Sequence, residues 1–315
     1  MNTFNPSANS VLLCAVFVVL VKLSACHTVY EFSDVKHFHY DRDVRDPLGV
    51  FNWPLTFSRN CNGRSQSPVN IETRRLSFDK RASCPRMMYN ISVVQGTLLN
   101  NGHSAEFRFN PGNLAATNLP HRPGFYIAHD LHVHYGGLFE NSFLDIENQI
   151  SPGSEHTVNG RRYDGELHVV FYNSRYRGVD EAKHHADGIV VLAYFIHKQS
   201  DGVAFGNTMQ FSNFFEYNIP QIVNINSSII TALNLDMFRR QPCEFYTYIG
   251  STTTPECNEV VRWVIFREPL LVSQTAWSVL QLMEFNGDFD IRYGNFRNLQ
   301  PLNGRVVESN FVPNF

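Results

Sequence analysis

Two histidines separated by one residue lie in an alternating apolar segment, Leu131-His132-Val133-His134-Tyr135. In an extended strand, residues two apart project from the same face with their roots roughly 6.5 to 7 Å apart. The two imidazoles can therefore converge on one ion. A catalytic zinc usually takes three protein ligands and leaves its fourth position open, so a metal site requires a third histidine on a neighbouring strand.

A second candidate strand, residues 165–172, supplies that third histidine. It is rich in apolar and β-branched residues, which favours a buried strand, and His168 follows Glu166 by two positions on the same face. Spacing alone does not identify a metal site, because His37-Phe38-His39 has the same pattern. Histidine pairs of this kind also occur at surfaces and in hydrogen-bonded cores. The second histidine-bearing strand distinguishes the His132/His134 pair from the His37/His39 pair.

Residues 1–26 have the pattern of a secretory signal peptide. The apolar run 11–21 is too short to cross a bilayer, which needs about 20 residues, and Ser24-Ala25-Cys26 provides small residues at a cleavage point. No Lys or Arg precedes the run, so an uncleaved anchor is the alternative. Residues 309–315 are too short for a membrane tail. We therefore expect a secreted, extracellular protein with no membrane span in its mature chain.

Residues 27–315 are expected to form a single domain, since we find no linker, repeat or low-complexity tract that would divide them. The 26 basic residues are fewer than the 29 acidic ones and do not cluster, which argues against a nucleic-acid partner. Alternating, aromatic-rich segments outnumber helical patterns, although Ser273 can cap one clear helix. These patterns predict a mixed α+β fold dominated by a large, mostly antiparallel sheet with short peripheral helices.

Four cysteines remain after the signal peptide: Cys61, Cys84, Cys243 and Cys257. An even number in an exported chain favours two disulfides, for which three pairings exist, whereas four buried thiols are the alternative. Asn90-Ile91-Ser92 and Asn226-Ser227-Ser228 are glycosylation sequons, which fit the same compartment.

Seven sequence blocks, in order, resemble the α-class carbonic anhydrases along nearly the whole exported chain. The blocks are 66–71, 100–103, 131–136, 154–158, 166–168, 250–255 and 300–302. The resemblance implies a twisted sheet of about ten mostly antiparallel strands. It also implies an enzyme that reversibly hydrates carbon dioxide to bicarbonate and a proton. H-E-x-x-H and H-x-x-E-H are both absent from the sequence, which argues against a zinc protease.

The resemblance further implies a zinc cofactor with three ligands: His132, His134 and His168. Three neutral imidazoles leave the metal its full charge, which lowers the pKa of a bound water from about 15.7 to about 7. Asp130, where the family commonly has glutamine, and Glu166 would accept the other ring N–H of two ligands. His156 would support Glu166. We expect zinc to be retained despite the shorter Asp130 side chain.

The remaining site roles follow from the same resemblance. Thr253 resembles the family's gating threonine, whose hydroxyl orients the nucleophile and donates to the buried carboxylate of Glu155. His103 resembles the proton shuttle. Three residues lie where the family orders the connecting waters: Tyr40, Asn101 and Glu106, the last replacing a common amide. The substrate pocket is assigned to Val170, Val191, Thr252, Thr254, Val261 and Trp263, with Thr252 more polar than usual.

Secreted members of the family bridge the positions of Cys61 and Cys257, which leaves Cys84 and Cys243 for a second bond. The connection 138–152 is longer than usual and could rim the cleft or bind a partner. The competing hypothesis is an extracellular matrix or binding protein with little turnover, for example one associated with biomineralisation. Such relatives usually lack a ligand histidine, whereas this sequence keeps all three. The sequence leaves the oligomeric state open.

Overall fold

The computed structural model describes residues 38–137, 152–200, 207–238, 243–286 and 294–313. The predicted signal peptide 1–26 and all of the 138–152 connection except Pro152 lie outside these residues. Within them, five helices are present: α1 Trp53–Thr56, α2 Ser58–Cys61, α3 Val179–Ala182, α4 Asn207–Asn218 and α5 Gln274–Leu280. Short 3₁₀ turns occupy Thr73–Arg75, Ile219–Gln221 and Leu235–Phe238.

Fifteen strands form two sheets in the described part of the chain. Their bounds are β1 Asn70–Ile71, β2 Ser77–Phe78, β3 Arg86–Met88, β4 Val93–Asn100, β5 Ala105–Phe109, β6 Ala115–Thr117, β7 Tyr126–Tyr135, β8 Thr157–Val158, β9 Arg161–Arg162, β10 Gly165–Asn173, β11 Ile189–Gln199, β12 Ser228–Asn234, β13 Phe245–Gly250, β14 Val261–Ser273 and β15 Glu308–Ser309. Strands β1, β8 and β9 form a small sheet, and the other twelve form one large sheet.

The large sheet runs in the order β12-β4-β5-β7-β10-β11-β14-β13-β15-β2, while β6 pairs with both β3 and β7. Its pairs are antiparallel except β11 with β14 and β15 with β2. The predicted mostly antiparallel sheet is therefore confirmed, with twelve strands rather than about ten. The additional strands are two or three residues long, too short to produce a visible alternation.

Both faces of the central strands are buried. On β11, Val190, Leu192 and Tyr194 pack into one hydrophobic cluster, whereas Val191, Ala193 and Phe195 pack into the other. A strand that buries both faces reads as a continuous apolar run, which explains the composition of this segment. The sheet thus separates two cores, and its central strands are fixed from both sides.

Helix α5 begins as the sequence predicted. The Ser273 hydroxyl accepts from the Ala276 N–H at 3.0 Å, which satisfies one of the free N–H groups at the helix start. The helix buries Ala276, Trp277 and Leu280 against the sheet. No helix in the described ranges is both long and apolar enough to cross a membrane.

Two disulfides link distant parts of the chain. Cys61 is bonded to Cys257 with their Cα atoms 4.9 Å apart, and Cys84 is bonded to Cys243 with a separation of 5.9 Å. The first lies in a small buried cluster with Trp53. It therefore ties the segment before β1 to the loop between β13 and β14.

Candidate metal centre

The three histidines lie on one face of the sheet because of the register between β7 and β10. In this antiparallel pair His168 is opposite His132, and Glu166 is opposite His134. Directly opposed residues project to the same side. The centroids of the three imidazole rings are accordingly 4.6 to 5.2 Å apart.

Each ring uses one nitrogen to hydrogen-bond a neighbouring group. His132 Nδ1 donates to Asp130 Oδ1 at 2.6 Å, and His134 Nδ1 donates to the Asn295 carbonyl at 2.6 Å. His168 Nε2 donates to Glu166 Oε1 at 2.8 Å. These bonds fix ring orientation and tautomer, as partners of metal ligands do. The other nitrogen of each ring remains as a ligand atom.

The donor set fits a zinc ion. One atom from each histidine lies within 4.8 Å of the other two. His134 Nε2 is buried and has no hydrogen-bond partner among the residues that the structure describes. A buried polar atom without a partner is costly, so a metal in this position would satisfy it. Three imidazoles with room for a fourth ligand are typical of catalytic zinc.

Burial sets the charge state of two rings in the metal-free chain. It lowers the pKa of His134 well below its usual value, helped by the nearby His168 and His132. Burial also lowers the pKa of His168 to about 4, although the Glu166 hydrogen bond opposes it. For His132 burial again opposes the charged form, but the hydrogen bond to Asp130 together with the attraction of the Asp130, Glu106 and Glu155 carboxylates raises its pKa. His134 and His168 are therefore neutral at pH 7, as ligation requires.

Glu166 and His156 form a buried network behind the rings. Glu166 accepts from His156 twice, from the backbone N–H and from Nδ1, both at 2.7 Å. Burial disfavours its charge, yet the attraction and bonds of His156 and then His168 hold its pKa well below the usual value. The far nitrogen of His156 is hydrogen-bonded to the Tyr248 hydroxyl at 2.7 Å, which in turn contacts Ser67 Oγ at 2.7 Å. This network fixes Glu166, and through it His168.

A cleft of about 350 Å³ lies over the three rings. The predicted site residues that line it, besides the histidine triad, are Tyr40, Asn101, His103, Glu106, Asp130, Val170, Val191, Thr252, Thr253, Thr254 and Trp263. Val170, Val191 and Trp263 are consecutive partners across β10, β11 and β14, so they form a continuous apolar wall. Val261 is instead fully buried in the core at the start of β14.

Five further residues line the cleft and have no counterpart in the sequence prediction: Phe38, Ser104, His129, Val179 and Ile189. Val179 and Ile189 add apolar surface, and Val179 belongs to a helix of only four residues. His129 lies at the rim, with Nε2 4.0 Å from Asp130 Oδ2. Because these residues are held in place by chain folding, no local motif could have identified them.

Glu155 is a fully buried carboxyl behind the cleft. Its Oε1 accepts from the Arg297 N–H at 2.9 Å, and its Oε2 is 3.6 Å from His134 Nε2. Burial raises its pKa to about 8, against the lowering effects of the Arg297 N–H and the Thr253 side chain. Thr253 lines the cleft and is only 5 % exposed, and its side chain lies between the cleft and this carboxyl.

Two buried residues of the segment 294–298, which no sequence pattern predicted, also support the site. Asn295 supplies the carbonyl that orients His134, and its side-chain amide donates to the carbonyls of His103 and Val133, both at 2.9 Å. The Arg297 guanidinium donates to Gln66 Oε1 at 2.9 Å and to the Ser67 carbonyl at 2.8 Å. Burial lowers its pKa to about 10. A backbone carbonyl carries no sequence signal, and the segment has no periodic pattern.

His103 lies in the turn between β4 and β5, at the edge of the cleft. Asn101 Oδ1 accepts the N–H groups of His103 and Ser104 at 2.9 and 2.8 Å. Gly102 adopts φ +80°, and a Cβ there would collide with the Asn286 side chain. The Phe38 ring stacks on the His103 imidazole with centroids 3.9 Å apart and planes 10° apart. Local hydrogen bonds and stacking together position the imidazole.

Both predicted glycosylation sites are accessible. Asn90 follows β3 and Asn226 precedes β12, and both side chains are exposed.

Comparison with known proteins identifies a family and several relatives that this chain resembles in sequence. A sequence model of the eukaryotic-type carbonic anhydrase family matches residues 48–311, which include the site residues named above except Phe38 and Tyr40. Carbonic anhydrase 6 of Canis lupus familiaris is 32% identical over 272 residues, 84% of this chain and 78% of that protein. Carbonic anhydrase 6 of Homo sapiens is 33% identical over 271 residues, 84% and 81% of the two chains. Carbonic anhydrase 12 of Homo sapiens is 30% identical over 275 residues, 84% and 72%.

Proposed function

The chain belongs to the eukaryotic-type carbonic anhydrase family, and from that premise we propose that it hydrates carbon dioxide reversibly with zinc held by His132, His134 and His168. The observation that carries this proposal is the convergence of three imidazole nitrogens within 4.8 Å at the base of a cleft with an apolar wall. When bound there, zinc supplies a hydroxide nucleophile at neutral pH by acting as a Lewis acid.

The apolar wall binds the substrate. Carbon dioxide is uncharged and offers no group for an ion pair, so contact with Val170, Val191 and Trp263 suits it better than a charged clamp. Val261 supports this wall from within the core. Bicarbonate, the charged product, gains little from the same surface, and this difference favours its release.

Thr253 and Glu155 orient the nucleophile. The carboxylate of Glu155 would accept a hydrogen bond from the Thr253 hydroxyl, and the threonine oxygen would then present a lone pair to the cleft. Such an oxygen can only accept, so it selects groups that carry a proton and disfavours anions that lack one. The Arg297 N–H supports the ionised form of Glu155, and the charge of a zinc ion held by the neighbouring His134 would favour that form further.

His103 carries the proton between the metal centre and buffer. An imidazole with access to solvent can accept a proton from a water chain and release it near neutral pH. Tyr40, Asn101 and Glu106 line the same cleft and supply hydroxyl, amide and carboxylate groups for that chain. Burial raises the pKa of Tyr40 well above its usual value, so its hydroxyl keeps its proton and can donate.

We also propose that residues 1–26 are removed and that residues 27–315 act as one secreted, extracellular domain. The two disulfides and the exposed sequon residues Asn90 and Asn226 support this location, because both features belong to oxidising, glycosylating compartments.

Stopped-flow hydration of carbon dioxide, combined with metal analysis, tests the proposal. The wild type should contain one zinc per chain and accelerate hydration, and His134→Ala should lose both metal and activity. His184→Ala, which removes an exposed histidine, is the matched control and should keep both. Stoichiometric zinc without turnover would favour the binding-protein alternative. A wild type no faster than buffer, with His134→Ala still holding stoichiometric zinc, would refute the site itself.

A further inference from the structure

An ion pair on β5 lies beside the turn that carries His103. Glu106 and Arg108 are two residues apart on the strand and so share its cleft face. Arg108 Nε donates to Glu106 Oε1 at 2.5 Å. The two side chains differ in exposure, 13% for Glu106 and 54% for Arg108. The carboxylate is therefore largely withdrawn from water and depends on protein donors, whereas its partner reaches the surface.

The second oxygen of the carboxylate holds the Asn101 side chain. Glu106 Oε2 accepts from Asn101 Nδ2 at 2.6 Å. The Asn101 amide can then point its oxygen in one direction only, toward the turn. There it accepts the N–H groups of His103 and Ser104. An unbroken series of hydrogen bonds thus connects the Arg108 guanidinium to the backbone of His103.

We infer that Arg108 and Glu106 are positioning residues for His103, an inference that rests on the proposed function. Arg108 is not among the residues that line the cleft, and Glu106, which does line it, has one carboxylate oxygen bonded to Arg108 and the other to Asn101. Their charge-assisted bonds lock the Asn101 amide, and Asn101 locks the turn. A neutral amide at position 106 could still accept from Asn101, but it would bind Arg108 without charge assistance. The ion pair therefore restricts the positions that the imidazole can adopt relative to the metal centre.

Steady-state kinetics separates this role from a general structural one. Arg108→Met and Glu106→Gln should each lower kcat by about fivefold in dilute buffer, because proton transfer limits that parameter. The ratio kcat/KM, which reports the hydration step, should stay within about twofold. Added imidazole should restore kcat, and Arg108→Lys should retain most of it. Arg74→Met, which removes an exposed charge outside the cleft, is the control.

A double variant tests whether the two residues act as one unit. Since both act through Asn101, Glu106→Gln combined with Arg108→Met should cost no more in kcat than the larger single effect. Additive losses, or an equal fall of kcat and kcat/KM in either single variant, would overturn the inference.

Hydrogen exchange provides a readout that is independent of activity. In zinc-loaded and zinc-free protein alike, both variants should exchange the His103 and Ser104 amide protons about tenfold faster, because their acceptor becomes mobile. The amides of β11 should be unaffected. Unchanged exchange at His103 and Ser104 would overturn the inference even if kcat fell. An inactive wild type would refute the proposed function, and the exchange experiment would still decide whether the ion pair holds the turn.

Discussion

Glu155→Gln should stabilise the metal-free protein while it impairs catalysis. Glu155 is fully buried, and burial raises its pKa from 4.5 to about 8, so ionising this carboxyl in the folded protein costs stability. In the wild type the Arg297 N–H donates to Glu155 Oε1 at 2.9 Å. A glutamine side chain keeps an oxygen that can accept this bond and carries no charge. The same change removes the carboxylate that would accept the Thr253 hydroxyl. Function and stability therefore make opposite demands on this position.

The direction of this pH dependence follows from whether the folded or the unfolded chain loses the Glu155 proton first. The unfolded chain ionises this carboxyl near its ordinary value of 4.5, whereas the folded chain holds the proton up to about pH 8. Below pH 4.5 both states are protonated and the carboxyl has no effect. Between the two values the unfolded state gains relative stability as pH rises, and above pH 8 the full cost is present. At 1.36 kcal/mol per tenfold change, that full cost is about 5 kcal/mol, an upper figure because water entry and relaxation reduce it.

Urea unfolding of the zinc-free proteins at pH 5 and pH 8 measures this cost. Glu155→Gln should have a higher free energy of unfolding than the wild type. This difference should be about 3 kcal/mol larger at pH 8 than at pH 5. The wild-type reference cancels the titration of the histidines, which both proteins share. Glu268→Gln, at an exposed position on β14, should show no such dependence. An equal difference in the free energy of unfolding between Glu155→Gln and the wild type at both pH values would refute the reasoning.

Three further outcomes are expected from the site and the fold. His103→Ala should lower kcat by about tenfold or more in dilute buffer and leave kcat/KM nearly unchanged, and imidazole should restore kcat, as buffer-dependent stopped-flow measurements would reveal. Asp130→Gln should lower the pH at which kcat/KM is half-maximal, because a neutral acceptor makes His132 a weaker electron donor; an inflection that stays or rises would contradict this. Replacing Cys61 and Cys257 together by serine should lower the free energy of unfolding by about 5 kcal/mol at most, given their separation of 196 residues, and a loss below about 1 kcal/mol would show that chain entropy is not the main contribution.

The sequence predicted the site where functional side chains alternate with the two-residue period of a strand. The spacing of His132 and His134, and the buried strand around His168, predicted which side chains share a face. The resemblance to a family assigned roles to Thr253 and Glu155, which a local pattern does not distinguish from a polar turn and a core acid. Contacts supplied by backbone groups or irregular segments remained hidden. The Asn295 carbonyl is the clearest example, because any residue could provide that oxygen.

The shortest elements were also beyond the reach of the sequence. Strands β2 and β15 contain two residues each, and helices α1 to α3 contain four residues each, so none of them completes a recognisable period. Such elements form because tertiary pairing compensates for weak local preference. Phe38 shows the same limit for a side chain, since its stacking on His103 joins segments about 65 positions apart.

The hydrophobic core selects the strand register that brings His132, His134 and His168 together. Side chains alternate along β7 and β10, so a slip of one residue on β10 would turn Leu167 or Val169 toward the cleft and His168 away from it. The observed register buries four apolar residues in one core on the opposite face: Leu131, Val133, Leu167 and Val169. At about 1.5 to 3 kcal/mol for each buried side chain, this face contributes roughly 6 to 12 kcal/mol toward the register. The same alternation leaves the imidazoles on the cleft face, where Asp130, Glu166 and the Asn295 carbonyl satisfy their N–H groups. Folding can therefore assemble the three histidines before any metal binds, which agrees with the proposed role of a zinc ion in catalysis and not in folding.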